Sequence, residues 1–343
     1  MHELLNVLYV LTQGAVLHLD HDAVRIKITG EPIRRVPLLR LSGIVVFGRV
    51  TLTPFIIQRC AEDGRSLVWL DRNGRFKARV QGPTRGNVLL RRAQHLALSD
   101  TEHTVAIARQ IVAGKIQNCR QVLMRAARDP TDDTARDRLT GTAEHLATIL
   151  KRLQGCGDLD TVRGCEGEAA RSYFAAMRFM VRVDPDGFAP AGRTRRPPRD
   201  PTNALLSFLY ALLRSECMSS LEAIGLDPQI GYLHTLRPGR PALALDLMEE
   251  FRSVLADRLA LKLINRRQLT RADFEELPGG AFVLTAEGRR TVIQAYQKRK
   301  SEELHHRVIQ QRLPLGLVPH VQGRLLARHL RGDIAHYPPF LYR

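Results

Sequence analysis

Hydrophobic and polar residues alternate along the first 80 residues of the chain and then take up the longer spacing of helices. In residues 23–28, AVRIKI, aliphatic side chains alternate with Arg25 and Lys27, as in a strand that buries one face. The same period of two recurs in four other segments: 15–20, 43–48, 66–71 and 75–80. An amphipathic segment at 54–64 interrupts them and is predicted to be a helix. The pattern predicts a small β-rich N-terminal domain over residues 1–82.

Turn and breaker residues separate these segments. Asp20-His21-Asp22 and Arg72-Asn73-Gly74 favour turns, the second as a hairpin because Asn and Gly tolerate a positive φ. A stretch rich in Gly and Pro, QGPTRG at 81–86, then ends the alternating pattern.

After residue 86 the hydrophobic spacing is that of helices. Three long amphipathic segments follow in order: 87–99, 102–128 and 135–153. Residues 183–201 are too rich in Pro and Gly for a helix, and residues 278–288 are predicted to hold a short strand. The sequence therefore predicts an α+β protein whose second domain, residues 83–343, is mainly helical.

The charge of the chain indicates a polyanionic partner. Its 343 residues carry a formal net charge of +17, with 52 Lys and Arg against 35 Asp and Glu. Cationic side chains gain free energy by releasing the counterions condensed on phosphate backbones, so nucleic acid is the first candidate. A merely basic protein is the alternative.

Cysteine usage and hydropathy suggest a cytoplasmic protein. The five cysteines form no C-x-x-C pair, which predicts reduced thiols and neither a disulfide framework nor a thiolate zinc site. No apolar run approaches the roughly 20 residues of a membrane span, and residues 1–14 lack an export signal. We expect no contact with a membrane.

Several common catalytic signatures are absent from the sequence. It contains no G-x-x-x-x-G-K-[ST] phosphate loop, no G-x-G-x-x-G after a strand, no H-E-x-x-H and no G-x-S-x-G. Nucleotide hydrolysis, dinucleotide redox chemistry and serine hydrolysis are therefore disfavoured, and clusters of acids and histidines become the candidates.

Glu166 is the first candidate. In a predicted helix over 161–181 that starts after Asp160, it shares a face with five apolar residues: Ala170, Tyr173, Phe174, Met177 and Val181. Glu168 points elsewhere, beside Arg171. A buried carboxylate must be paired, protonated or bound to a metal, because an unpaired buried charge is costly. The alternative places Glu166 at the rim of the helix start, stabilised by the helix dipole.

An acidic stripe in residues 241–256 is the second candidate. In a helix over this segment, one face is apolar and the other carries four polar residues: Asp246, Glu249, Glu250 and Ser253. We expect no basic residue three or four positions along the stripe, so a cation from outside the helix would relieve the repulsion. A solvated acidic face is the alternative, and His234 just upstream could equally be an ordinary packed histidine.

Together these residues form a ligand set for a hard cation. Carboxylates with one neutral imidazole suit Mg²⁺ or Mn²⁺, with the imidazole favouring Mn²⁺, and they make a poor zinc site. Such an ion polarises a phosphoryl oxygen and orients an in-line displacement. The acids and the basic composition thus favour an enzyme that acts on nucleic acid.

A proline-restrained loop at 192–200 carries four arginines that could bind DNA phosphates: Arg193, Arg195, Arg196 and Arg199. Asp200 is the expected N-cap of the next helix, with Pro201 at its first position. A mobile surface loop is the alternative.

Residues 301–308, SEELHHRV, place Glu302 at helical ligand spacing from His305 or His306. Such neighbours on a charged helix are usually solvated pairs, so we expect no metal there.

Five segments in order resemble the CRISPR-associated endonuclease/integrase of spacer acquisition, the larger of the two core adaptation proteins, in its type I-C form. They are RGCEGEAARSYF, RTRRPPRDPTNALLSFLYALL, GLDPQIGYLH, RPGRPALALDLMEEFR and the closing YPPFLYR. The resemblance covers nearly the whole chain. Its departures are Cys165, where an aliphatic residue commonly precedes the acid, and Glu249, where some branches use aspartate.

The resemblance implies an N-terminal β domain, which would mediate contacts with a second copy and with a small companion adaptation protein, joined to a helical catalytic domain. It also implies a homodimer and a heteromeric complex with that companion on DNA. The implied ligands of the divalent ion are Glu166, His234 and Glu249, with Asp246 as a further acid of the catalytic neighbourhood. The arginine-rich loop would lie near the DNA.

The resulting hypothesis is a metal-dependent DNA endonuclease and integrase. The 3′-hydroxyl of a captured fragment would attack phosphodiesters at the boundaries of a CRISPR repeat in two successive transfers, in antiviral defence. One alternative is a general metal-dependent nuclease of branched or repair DNA, and another is a non-catalytic DNA-binding scaffold.

Overall fold

A computed structural model describes residues 6–83 and 87–342, and the chain divides into two compact units, residues 1–85 and 86–343. Three parts of the predicted segments lie outside the described residues: the first five residues, the end of the breaker at 81–86, and the last residue of YPPFLYR. None of the described helices is long and apolar enough to cross a membrane.

In its described residues, the first unit contains two four-stranded sheets and one α-helix. One sheet has the order β1-β5-β7-β8, and it is built from β1 (Asn6–Val10), β5 (Leu41–Phe47), β7 (Ser66–Leu70) and β8 (Phe76–Val80). The other has the order β4-β3-β2-β6, from β4 (Arg34–Pro37), β3 (Ala23–Lys27), β2 (Val16–Asp20) and β6 (Thr51–Leu52). The helix α1 (Pro54–Asp63) begins with proline and ends at Gly64, whose φ of 70° is the left-handed conformation that glycine adopts without strain.

Strand pairing in this unit follows the predicted alternation. Leu17, Val24 and Ile26 are buried in one core with Ile44 and Leu67, while Arg25 points away from that side of its strand. The five predicted strands and the helix are confirmed, with ends that shift by one or two residues. The pattern missed β1, β4 and β6, which are short or lie at sheet edges.

The second unit is mainly helical. Its helices are α2 (Val88–Ser99), α3 (Thr101–Ala126), α4 (Asp133–Gln154), α5 (Leu159–Ala176), α6 (Pro185–Phe188), α7 (Pro201–Ile224), α8 (Ala242–Glu249), α9 (Arg258–Asn265), α10 (Ala286–Ser301) and α11 (Val318–Leu330). Two hairpins complete it, β9 (Phe274–Leu277) with β10 (Ala281–Leu284), and β11 (Glu303–His306) with β12 (Gln311–Pro314). The predicted α+β class and the short strand within 278–288 are confirmed.

Helix α3 is the centre of the second unit. It packs against α4, α5 and α8, and its buried face is lined by aliphatic residues such as Ile111 and Ile116. Helix α7 packs against α8 and α11 and is buried along most of its length. Asp200 caps α7, as predicted, and its side chain accepts a hydrogen bond of 2.7 Å from the Asn203 backbone. These helices bring α5 and α8 to the two sides of α3.

Three predicted helices differ from those observed. The helix that carries Glu166 is capped by Asp158 rather than Asp160, and it gives way to a 3₁₀ turn after Ala176. The helix predicted over 241–256 ends as α8 at Glu249 and is followed by a π-helical segment, Arg252–Asp257. Within residues 301–308, Glu303–His306 form strand β11, which pairs with β12.

Candidate metal centre

Asp246 organises the turn that carries His234. Its carboxylate is fully buried and accepts hydrogen bonds from the backbone N–H groups of Tyr232 (2.6 Å), Leu233 (3.0 Å) and His234 (3.0 Å). A Cβ on Gly231 would lie 2.6 Å from the same carboxylate, so the chain needs glycine to approach α8 this closely. These contacts fix residues 231–234 against α8.

The imidazole of His234 is held in one orientation by the same carboxylate. Its Nδ1 lies 2.6 Å from Asp246 Oδ1, and since an ionised carboxylate only accepts, Nδ1 carries the proton. Nε2 is then the ring nitrogen left to bind a metal, and it lies 3.8 Å from Glu249 Oε1. A carboxylate on one imidazole nitrogen is the arrangement that typically orients a histidine toward a metal.

Glu249 lies one turn after Asp246 and is buried between cations. Its Oε1 is 3.0 Å from the guanidinium of Arg252, and its Oε2 is 2.7 Å from the ammonium of Lys115. Burial alone would raise the pKa of this carboxyl, but mainly the charges of Arg252 and Lys115 lower it to about 2. Glu249 is therefore an ionised carboxylate with its charge balanced inside the protein.

Glu166 reaches the same place from α5. Its Oε1 contacts the ammonium of Lys115, which is almost completely buried, whereas the Glu166 side chain stays partly open to solvent. Burial disfavours the charged form of Lys115, but Glu249 and Glu166 together raise its pKa above the ordinary value. One ammonium from α3 thus joins a carboxylate of α5 to a carboxylate of α8.

The residues present fit a divalent ion in their chemistry. Two ionised carboxylates and the open Nε2 of His234 form the hard oxygen and nitrogen set that suits Mg²⁺ or Mn²⁺. In the described part of the chain, no three histidine, cysteine, aspartate or glutamate side chains already surround a common cation position. Instead, the Lys115 ammonium lies between the carboxylates of Glu166 and Glu249.

The acidic stripe is not a solvated face, and that alternative is wrong. Asp246, Glu249, Glu250 and Ser253 are all buried. The expectation that no basic residue follows the stripe at helical spacing is also wrong, since Arg252 pairs with Glu249 at i+3. The other cation on Glu249, Lys115, does come from outside the helix.

Glu250 faces away from Glu249 and binds the C-terminal segment. Its carboxyl accepts hydrogen bonds from the hydroxyl of Tyr337 (2.6 Å), the backbone of Phe340 (2.6 Å) and the amide of Gln322 (3.2 Å). Burial raises its pKa to about 8 against the effect of these donors. Asn118 of α3 adds bonds of 2.8 Å to the carbonyl groups of Glu250 and Phe340. The YPPFLYR segment is therefore part of the support behind the site.

The arginine loop divides into inward and outward side chains. Arg193 turns inward, donating to Asn203 (2.8 Å) and Ser207 (3.1 Å) and lying 5.2 Å from the centre of the Tyr210 ring. Arg195, Arg196 and Arg199 are exposed, although Arg199 also donates to the Gly279 carbonyl at 2.5 Å.

Glu302, His305 and His306 do not come together as a metal site. His306 is buried against Gln322 at 3.0 Å, while His305 is exposed on the same strand. Glu302 pairs with Arg299 and lies 3.8 Å from Lys262.

Two residues of the site were missed from sequence, Lys115 and Arg252. Lys115 lies in IVAGKIQN, where the helical spacing of aliphatic residues already placed it on the buried side of α3. A lysine on an apolar face requires a buried anion, and that signal could have linked it to the acids. The five cysteines are free thiols and are buried.

Comparison with known proteins identifies the family of the chain. The family model for CRISPR associated protein Cas1 matches residues 8–298. A relative from Moorella thermoacetica, CRISPR-associated endonuclease Cas1 1, is 57% identical over 343 residues that span all of both chains. The solved structure of a Cas1 protein from Thermotoga maritima matches with a TM-score of 0.82 and 25% identity, over 95% of this chain and 97% of that one.

A chain of a Cas6-RT-Cas1–Cas2 complex is also similar, with a TM-score of 0.82 and 25% identity, over 99% of this chain and 36% of that chain. The match to the family model extends through both units. The chain therefore belongs to the Cas1 family of CRISPR-associated DNA endonucleases.

Proposed function

We propose that the protein inserts captured DNA fragments into a CRISPR array as a metal-dependent endonuclease and integrase. The observation that carries the proposal is the meeting of Glu166 and Glu249, from separate helices, on one buried cation beside the open Nε2 of His234. Membership of the Cas1 family supports DNA as the substrate. The net charge of +17 supports binding to a phosphate backbone.

Glu166, His234 and Glu249 are the proposed ligands of Mg²⁺ or Mn²⁺. Such an ion would stabilise charge on the phosphoryl oxygens and lower the pKa of the attacking hydroxyl. Asp246 is proposed as a positioning residue, because both of its oxygens are used to hold the 232–234 backbone and the His234 ring. Arg252 keeps Glu249 ionised and fixed in place.

The proposed reaction is a phosphodiester exchange. The 3′-oxygen of the captured fragment forms a new bond to phosphorus at the repeat boundary, while the bond from phosphorus to the 3′-oxygen of the repeat strand breaks. The attacking hydroxyl loses its proton and the leaving oxygen takes one up, so the number of phosphodiester bonds is unchanged. A second transfer joins the other strand. With water as the nucleophile, the same residues would cleave DNA.

Outward arginines of the 192–200 loop are proposed to hold the DNA. Arg195 and Arg196 are exposed and can form bidentate contacts with phosphate oxygens. Arg199 has one donor engaged by Gly279 and keeps others for DNA. The inward Arg193 is proposed to shape the loop from below, through Asn203 and Ser207.

The proposed setting is a type I-C system in the cytoplasm, where the chain acts as a homodimer with the small companion adaptation protein. The five ordered motifs support the subtype. The similar chain found in a Cas6-RT-Cas1–Cas2 complex supports a companion. Residues 1–82 are the proposed domain for these protein contacts, and residues 83–343 the proposed catalytic domain.

Strand transfer with matched variants tests the proposal. Purified protein, its companion, a short DNA duplex and a repeat-bearing plasmid should give joined products that disappear with EDTA. Glu166→Ala should lower joining by about 100-fold or more, since it removes a proposed ligand. Glu168→Ala is the matched control, because Glu168 lies on the same helix but pairs with Arg152 and His145.

The alternatives give different products. A general nuclease would cleave the plasmid without joining the duplex to it. A non-catalytic scaffold would show the same DNA binding with or without EDTA and no covalent product. Normal joining by Glu166→Ala would overturn the assignment of the site.

A further inference from the structure

Lys115 is a buried cation that the metal-dependent reaction does not itself require. It lies at the middle of α3, with a side chain that is 7% exposed, between apolar neighbours of the same helix face. A buried ammonium is stable only if anions replace its lost hydration. Both anions that contact it are proposed metal ligands, Glu166 and Glu249.

The charges of the two proposed ligand carboxylates are balanced without any metal. Glu166 and Glu249 contribute two negative charges, and Lys115 and Arg252 contribute two positive ones. Without Lys115, the two carboxylates from different helices would repel each other, because Arg252 contacts only Glu249. The ammonium therefore keeps the carboxylates together before an ion arrives.

We propose that Lys115 is a built-in counter-ion that a divalent ion must displace, so that this lysine sets the affinity of the site for the ion. The ammonium contacts Oε1 of Glu166 and Oε2 of Glu249, and these are oxygens that a shared ion would need. Lysine suits the role because its charge ends a flexible four-carbon chain that can swing aside, toward the solvent that reaches Glu166. The inference rests on the proposed function, since it assumes that these carboxylates bind the ion.

Arg252 does not have the same role. It contacts only Glu249 of the two ligands, through Oε1, and its guanidinium lies 5.0 Å from the centre of the Tyr210 ring. Stacking and the fixed guanidinium plane hold it in place. Lys115 is the cation that both carboxylates share.

Metal titration of the full-length protein tests the inference without measuring DNA joining. Free Mn²⁺ is followed by electron paramagnetic resonance as the protein is added, for wild type, Lys115→Met and Lys115→Arg. We expect Lys115→Met to bind Mn²⁺ at least about tenfold more tightly, because a competing charge is gone. Lys115→Arg keeps the charge and should bind no more tightly than wild type.

Lys300→Met is the matched control. Lys300 is also a buried lysine, and it pairs with Glu216 at 2.5 Å rather than with the proposed ligands. Its loss should destabilise the fold and leave Mn²⁺ affinity unchanged. Thermal unfolding adds a second readout, since Lys115→Met should have a lower Tm than wild type in EDTA and a larger gain in Tm on adding Mn²⁺.

If Lys115→Met binds Mn²⁺ as wild type does, or more weakly, Lys115 is a structural ion pair and the inference is wrong. Should that variant fail to fold in EDTA, Lys115→Gln removes the charge while keeping a hydrogen-bond donor, and the same tenfold criterion applies. Wild type should bind Mn²⁺, and Glu249→Gln should abolish that binding. If it does not, the metal centre of the proposed function fails and the inference fails with it.

Discussion

At the scale of single residues, three acids in α8 and directly after it have separate tasks. Asp246 is used entirely within the protein, Glu249 is held ionised by neighbouring cations, and Glu250 binds the C-terminal segment. Consecutive acids on a helix would usually repel. Here each faces a different set of donors, so the three are not interchangeable.

Replacing Asp246 tests the positioning task. Asp246→Asn should lower Mn²⁺ affinity and strand transfer by about 10- to 100-fold, because the His234 ring loses the charged partner that fixes its tautomer. Metal titration and the joining assay measure the two effects. Asp184→Asn, which breaks a surface pair with Arg271, is the control and should change neither. Full metal affinity in Asp246→Asn would show that His234 needs no orienting carboxylate.

At the scale of elements, the π-helical segment after α8 separates the acids of the site from a second buried acid. Asp257 closes that segment and accepts a 2.7 Å hydrogen bond from the hydroxyl of Tyr210. Burial raises its pKa to about 6. A π-turn inside a helix is common near functional sites and changes which residues share a face.

The raised pKa of Asp257 makes stability depend on pH. The unfolded chain releases this proton near pH 3.8, whereas the folded chain keeps it until about pH 6. The stabilisation from Asp257 is thus fully present below pH 3.8 and is lost as the pH rises to 6. Asp257→Asn should remove this dependence, so its free energy of unfolding relative to wild type should rise by up to about 3 kcal/mol between pH 4 and 6.

Denaturant unfolding of both proteins at pH 4, 5, 6 and 7 measures that difference. Asn keeps an acceptor for the Tyr210 hydroxyl, so the comparison isolates the charge. A constant difference across this range would show that Asp257 titrates normally.

The same segment shows what the sequence could and could not predict. The apolar face of residues 241–256 and the presence of a helix followed from spacing, because burial of aliphatic residues is local information. The burial of Asp246, Glu249 and Glu250 did not, since it depends on partners from α3, the 231–234 turn and the C-terminal segment. Helical spacing likewise predicted a helix at residues 301–308, where the chain forms β11. The pairing of β11 with β12 is a contact between two segments, which the spacing within one segment does not show.

At the scale of the whole molecule, the chain is strongly basic although its proposed metal ligands include acids. The net charge of +17 attracts a phosphate backbone, and the exposed Arg195 and Arg196 offer specific contacts to it. Long-range attraction of this kind is screened by salt, so ionic strength separates general charge from individual contacts.

Salt dependence should identify the arginines that reach DNA. The Arg195→Ala, Arg196→Ala double variant should flatten the slope of log affinity against log salt by roughly 2, since each phosphate contact contributes about 0.9. Fluorescence anisotropy with a labelled duplex at several salt concentrations gives the slope. Arg193→Ala should destabilise the loop yet leave the slope close to wild type, because its guanidinium faces Asn203 and Ser207. Equal slopes for all variants would place the DNA elsewhere.

The contacts of α3 with the acids of α5 and α8 join parts of the chain that are far apart in sequence. The bond from Lys115 to Glu166 closes a separation of 51 residues, and that from Asn118 to Glu250 closes 132. Contacts of such long range form late in folding, after the entropy of closing large loops has been overcome. Partly folded chains therefore hold the acids apart, and the proposed metal site forms only in molecules that have completed the second unit.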